Sequence, residues 1–185
     1  MDYVIRPVRA DEWQQAKELR LTALQDPAAP VAFLETYENC LERTDEFWRE
    51  RTTGASEEGA GGVRQFIAEA PDGSWAGTVS VLIERPDGGV VFGEGASVHQ
   101  AHMVGVFVRP EARGRGLIEE LFRAGMEWAW SLGEPLIERV RLYVHEDNPR
   151  AAAAYRRIGF TPTGETVPMP GDPTSRELEF AVPRP

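Results

Sequence analysis

Cysteine is almost absent: Cys40 is the only one among 185 residues. No disulfide can therefore form within the chain, and a reducing cytoplasm is the expected compartment. Long apolar runs are missing too, with nowhere near the roughly eighteen consecutive apolar residues that a membrane span requires. The opening Met1-Asp2-Tyr3-Val4-Ile5 has no basic stretch followed by an apolar one, so the expectation is a soluble protein that is neither exported nor membrane-spanning. Basic charge is in deficit. Against 30 acidic residues stand 20 basic ones, a net charge of -10, which opposes attraction to nucleic acid or anionic lipid and favours cationic partners such as a polyamine or an aminoglycoside-like amine. The same acidity also serves plain solubility. Internal repeats and an interdomain linker are lacking, so residues 1–185 read as one domain, and 42% hydrophobic residues suffice for its core.

What is present begins with a strand at residues 3–9 and a helix marked by Trp13, Ala16, Leu19, Ala23 and Leu24, stopped by Pro27. Residues 30–40 and 44–53 read as two shorter helices, the second with Thr44 as N-cap. Residues 54–62, rich in Gly, Ala, Ser and Glu, read as a mobile loop by composition. Two β-rich runs, 63–70 and 74–84, flank the turn Pro71-Asp72-Gly73 and form a hairpin. After a loop at 85–95, a third run ends in Met103-Val104-Gly105-Val106-Phe107-Val108, apolar enough to be central, with Gly105 marking a bulge or a close backbone approach. A helix follows through Leu117, Leu121, Ala124, Trp128 and Leu132, then a strand at 137–145 and a short helix at 151–158. A proline-rich loop leads to a last strand at 176–182. These elements make an α+β fold with a mixed, mostly antiparallel sheet flanked by helices. Its parallel pair is expected between 103–108 and 137–145, joined by a right-handed helical crossover.

The segment Arg113-Gly114-Arg115-Gly116 stands between a strand and a helix. Glycines there let backbone approach a ligand, orphan amides of the first helical turn at Leu117 and Ile118 can cradle anionic oxygens, and Arg113 and Arg115 add charge. The unit reads either as a pyrophosphate site or as an ordinary glycine turn. A Walker loop would need Gly-Lys followed by Ser or Thr, which is missing. A dinucleotide fingerprint would need a third glycine, whereas Gly116-Leu117-Ile118 continues to Glu119.

Downstream lies Asn148-Pro149-Arg150-Ala151-Ala152-Ala153-Ala154-Tyr155-Arg156-Arg157-Ile158-Gly159-Phe160. Residues 104–118 followed by 142–160 resemble the two acetyl-CoA motifs of the GNAT N-acetyltransferase superfamily, and Tyr3-Val4-Ile5-Arg6-Pro7-Val8-Arg9 resembles the start of that fold. Two positions depart from the pattern: Ile118 replaces a small residue, and Ala154 replaces a larger apolar one. The resemblance implies acetyl-CoA as acyl donor and a splayed parallel strand pair in the middle of the sheet. It also implies backbone of Val106, Phe107 and Val108 pairing with the pantetheine arm, Asn148 orienting the cofactor, and Tyr155 as general acid for the leaving thiolate. Tyr155 also reads as a packed helix residue, and Asn148 as a helix cap.

Direct transfer needs a neutral amine, an amide donor for the developing oxyanion, which a strand-edge N–H near Val106 supplies, and a base. Glu69, Glu94, His99 and His102 are candidate bases by position, and His145 reads as capping the sheet. His99 and His102 have no third partner for a metal, so none is expected. Phe33, Glu35 and Tyr37 offer aromatic walls and a carboxylate for a cationic acceptor. Three functions fit: acetylation of a small-molecule primary amine such as an antibiotic or polyamine, acetylation of a protein N-terminus or lysine, and acyl-CoA sensing without turnover. Surplus apolar surface makes a homodimer a further expectation.

Overall fold

At Pro71-Asp72-Gly73 the chain reverses direction: Gly73 adopts φ 84° and Ser74 N–H donates to Asp72 Oδ1 at 3.0 Å. This turn sets β2 (Val63–Glu69) antiparallel to β3 (Trp75–Glu84). The structure is a computed structural model that describes residues 2–185, with Met1 outside them. Around the hairpin grows a seven-stranded sheet in the order β1-β2-β3-β4-β5-β7-β6, with β1 at Val4–Pro7, β4 at Gln100–Val108, β5 at Arg139–His145, β6 at Thr161–Met169 and β7 at Asp172–Pro183. Every pairing is antiparallel except β4 with β5.

Alternation along the strands divides the core between the two faces. One face carries Phe66, Val81, Met103 and Leu142 and is covered by α5 (Leu117–Ser131) and α6 (Pro149–Ile158). Close docking of α5 requires Gly125, where a Cβ would stand 2.9 Å from both Val81 and Met103. The other face carries Ile67, Trp75 and Phe107 and is covered by α1 (Trp13–Leu24), α2 (Ala29–Ala32), α3 (Tyr37–Leu41) and α4 (Asp45–Gly54). Thr44 caps α4, its side chain accepting from Phe47 N–H at 3.1 Å. Among the described residues no helix is long and apolar enough to cross a membrane.

Four expectations change. Residues 30–40 are not one helix. Phe33 is extended at φ -135° and ψ 148°, which lets its ring bury under the Arg20 guanidinium at 4.6 Å, and Thr36 then caps a new helix by accepting from Asn39 N–H at 3.3 Å. Residues 54–62 are a tied turn, in which the Ser56 hydroxyl donates to Thr53 C=O at 2.7 Å and accepts from Glu58 N–H at 3.1 Å. The proline-rich stretch after Phe160 is the edge strand β6, where Pro162 and Pro168 are tolerated because one side of the strand has no ladder to feed. Finally, parallel pairing is confined to Gln100–His102 against Arg139–Arg141, not to 103–108. Gly105 at φ 62° and a register shift opposite Thr78 and Ser80 turn β4 away from β5 beyond that point.

Candidate active site

Divergence of β4 from β5 opens a cleft of ≈ 1140 Å³ between the strands. On one side Val104, Phe107 and Val108 still pair with β3, but the β5-facing side of β4 past His102 has no partner strand. Val106, Phe107 and Val108 all line the cleft. Backbone groups left open in this way need an occupant that can hydrogen-bond to them.

At the end of β4 a short 3-10 turn, Pro110–Ala112, leads to the glycine turn. Gly114 and Gly116 both stand at φ 76°, a conformation that side chains disfavour, and nothing lies within 4 Å of where their Cβ atoms would be. Gly116 is the N-cap of α5 and supplies no side-chain acceptor, so the first-turn amides are left for an anion. Ile118 is half-buried against the main core at the cleft wall and leaves the space above both glycines open.

The two expected arginines behave differently. Arg113 donates from Nε to Val108 C=O at 2.9 Å and from a terminal nitrogen to Asp26 at 2.5 Å, so it ties the loop after α1 to the end of β4. Burial pushes the Asp26 carboxyl up, but the Ala28 N–H and Arg113 hold it below the usual carboxylate range. Arg115 is exposed and outside the cleft lining, whereas Arg150, which the sequence reading passed over, lines it.

Helix α6 starts at Asn148, whose side chain accepts from Ala151 N–H at 3.2 Å, and Pro149 occupies its first turn. The cap reading of Asn148 is thus present in the geometry, and the residue also lines the cleft. Tyr155 combines its two readings as well. Its ring packs on Phe122 with centroids 5.4 Å apart, and it reaches the cleft with 9% of its surface exposed. Burial, with the charge of Glu177 adding to it, raises the phenol well above its ordinary range and keeps it protonated.

Opposite the helices, the cleft floor is a polar layer on the β3, β4, β5 and β7 strands. His102, 1% exposed, sits with Nδ1 3.1 Å from Glu84 Oε2. A proton on Nδ1 satisfies that contact, and His102 lines the cleft. Burial works to raise the Glu84 carboxyl, but hydrogen bonds from His102 and Gln100 and the charge of Arg141 hold it below the usual range. Arg141 is fully buried and donates to Glu84 at 2.9 Å, to Glu179 at 3.1 Å, to the Tyr143 hydroxyl at 3.1 Å and to Glu94 C=O at 2.7 Å. One guanidinium therefore joins three strands and the loop before β4. A carboxylate-oriented imidazole facing a ligand cleft is suited to taking a proton relayed through water.

The other expected residues divide. Phe33 and Glu35 line the cleft, but Tyr37 packs into the core under α1 and lies outside the lining. Glu35 is already paired with Arg20 at 2.6 Å and Arg51 at 3.8 Å. Glu69 is paired with Arg6 at 2.6 Å on the far side of the sheet. Glu94 and His99 are outside the lining, Glu94 being exposed. His145 lines the cleft while its Nδ1 accepts from Asp147 N–H at 3.0 Å, which fixes the turn before α6. Glu84, Arg141, Tyr143, Glu177 and Glu179 were missed. Their signal was a period of two: Arg139, Arg141, Tyr143 and His145, like Glu177 and Glu179, recur at every second position of apolar strands.

The profile of the acetyltransferase (GNAT) family matches residues 14–160. A mycothiol acetyltransferase from Nocardioides sp. (strain ATCC BAA-499 / JS614) is 30% identical over 162 residues, covering 85% of this chain and 49% of its own length. One from Pseudarthrobacter chlorophenolicus is 35% identical over 107 residues, covering 53% and 32%. The chain thus spans half or less of the length of these relatives. Among solved structures, an acetyltransferase of the GNAT family from Streptococcus pneumoniae superposes with a TM-score of 0.72 at 14% identity, covering 99% of this chain and 100% of that one. A GNAT superfamily phosphinothricin acetyltransferase from Sinorhizobium meliloti, in complex with AcCoA, gives 0.71 at 16% identity, covering 99% and 89%. The open strand edge and the glycine turn leading into α5 lie within the matched residues, and the chain belongs to the acetyltransferase (GNAT) family.

Proposed function

We propose that this acetyltransferase moves the acetyl group of acetyl-CoA directly onto a primary amine of a small molecule. The observation that carries the reading is the meeting, in one cleft, of an unpaired strand edge, an open helix N-terminus and a carboxylate-backed imidazole. Val106, Phe107 and Val108 offer edge amides and carbonyls to the pantetheine arm, and an N–H near Val106 donates to the developing oxyanion. Gly114, Gly116 and the amides of Leu117 and Ile118 receive the pyrophosphate, with Arg150 adding charge at the same end. His102 takes, through a chain of waters, the proton released when the amine nitrogen bonds to the thioester carbon. Tyr155 donates a proton to the sulfur as the carbon–sulfur bond breaks. The products are the acetamide and free CoA thiol. The two curated relatives, named for mycothiol, support a small-molecule acceptor over a protein one.

A panel of amines and peptides, read by release of free thiol from acetyl-CoA, tests this. Thiol release with small amines and none with peptides is expected. Release confined to peptides would overturn the acceptor class, and cofactor binding with no release from any acceptor would overturn transfer itself in favour of a sensor.

A further inference from the structure

The chain carries a net charge of -10, yet that charge does not extend into the cleft, which five acidic side chains and five arginines line. Three of those carboxylates are already held: Glu35 by Arg20 at 2.6 Å, Asp26 by Arg113 at 2.5 Å and Glu119 by Arg157 at 3.8 Å. Glu50 is exposed to water. Glu177 differs from all four. It is only 6% exposed and lines the cleft, and among the described residues its carboxyl has no hydrogen-bond or ionic partner. Burying a carboxylate with nothing to meet it is costly. Burial alone pushes this carboxyl up to about 7.

Its position along the sheet is informative. Glu177 stands opposite His145 in the β5–β7 ladder. Glu177 and His145 line the same cleft as Val106, on the β5–β7 side that β4 leaves beyond His102. The carboxyl therefore shares the cleft with the strand edge assigned to the reacting carbonyl, and the Tyr155 phenol is within range of its charge. His102 lies four residues back along β4, roughly 13 Å by strand rise, so a chain of several waters carries the proton from the acceptor nitrogen to it.

Resting on the acetyl-transfer reading, we infer that Glu177 receives the acceptor's ammonium group, and that the acceptor carries one such group on a neutral or apolar body rather than being a polycation. One unpaired buried carboxylate matches one ammonium. A second or third ammonium would enter a cleft whose remaining buried charge is already paired and whose arginines repel it. Leu34 and Val91, 47% and 83% exposed, and Phe92 give the cleft an apolar rim for the rest of such a molecule. Glu177 thus takes the part that the sequence reading gave to Glu35.

The test compares phenethylamine with spermidine as probes in the thiol-release assay, for the wild type, Glu177→Gln and Glu177→Asp, with acetyl-CoA affinity followed by calorimetry. Wild-type kcat/KM is expected to be about tenfold higher for phenethylamine than for spermidine, and Glu177→Gln to raise the phenethylamine KM about tenfold. Glu177→Gln should leave acetyl-CoA affinity unchanged, and Glu177→Asp should recover part of the KM. Equal or better use of spermidine, or an unchanged KM in Glu177→Gln, would overturn the inference alone. No thiol release by the wild type from any amine would overturn the acetyl-transfer reading, and the inference with it.

Discussion

The donor wall of the cleft is made of backbone, whereas the acceptor wall is made of side chains. Along β4 and at the start of α5, the groups offered to a ligand are amides and carbonyls, exposed because a partner strand departs and because two glycines stand at φ 76°. On the other side, His102 and Tyr143 line the cleft and are backed by Glu84, Arg141 and Glu179, so that residues from four strands hold one another in place. A backbone wall tolerates side-chain change as long as the chain path survives. A wall of interlocked charges does not, because removing one partner strands the others in a medium that penalises them.

The largest effect expected from breaking this contrast is at Arg141. Arg141→Met keeps much of the volume but leaves Glu84 buried without its arginine and Glu179 with Arg139 alone at 3.3 Å, so urea unfolding should show a loss of about 3–5 kcal/mol. A loss within experimental error would mean that the acceptor wall is not a coupled unit. Next comes His102→Gln, which should lower kcat about 10²-fold while acetyl-CoA affinity stays at the wild-type value. A parallel loss of affinity would show that the two walls are not separable. The smallest effect is a pH-dependent shift in thermal midpoint at Glu177, in the absence of ligand. Its carboxyl is raised from 4.5 to about 7 by burial, so the folded state resists ionisation that the unfolded state undergoes, and stability is lost as pH rises through that window. Glu177→Gln should therefore melt above the wild type at pH 8, and the difference should vanish below the unfolded value. A difference of the opposite sign would mean that His145, Glu179 or Tyr155 already stabilises the charged form.

This contrast also explains what was legible in the sequence. Gly114, Gly116, Asn148, Tyr155 and Gly159 lie in two short stretches, and a glycine or a helix cap declares its backbone role locally. The hairpin at Gly73 and the helix from Leu117 were readable for the same reason. The partners of His102 were not, since Glu84 lies 18 positions away on β3, and Arg141 meets it only through the short parallel register at residues 100–102. The pairing of Glu35 with Arg20, one helix earlier, was hidden for the same reason, since it depends on Phe33 breaking the expected helix. Likewise β6 was hidden by its prolines, which an edge position accommodates but a composition rule reads as loop.

Calorimetric titration of acetyl-CoA into the wild type, His102→Gln and Gly116→Val tests most directly whether the donor is held by backbone. Forcing a branched side chain to φ 76° costs about 1–2 kcal/mol locally and should displace the amides at the head of α5. The wild type and His102→Gln should bind with the same Kd, and Gly116→Val, still unfolding cooperatively, about tenfold more weakly. Wild-type affinity in Gly116→Val, or lost affinity in His102→Gln, would contradict a backbone-built donor site.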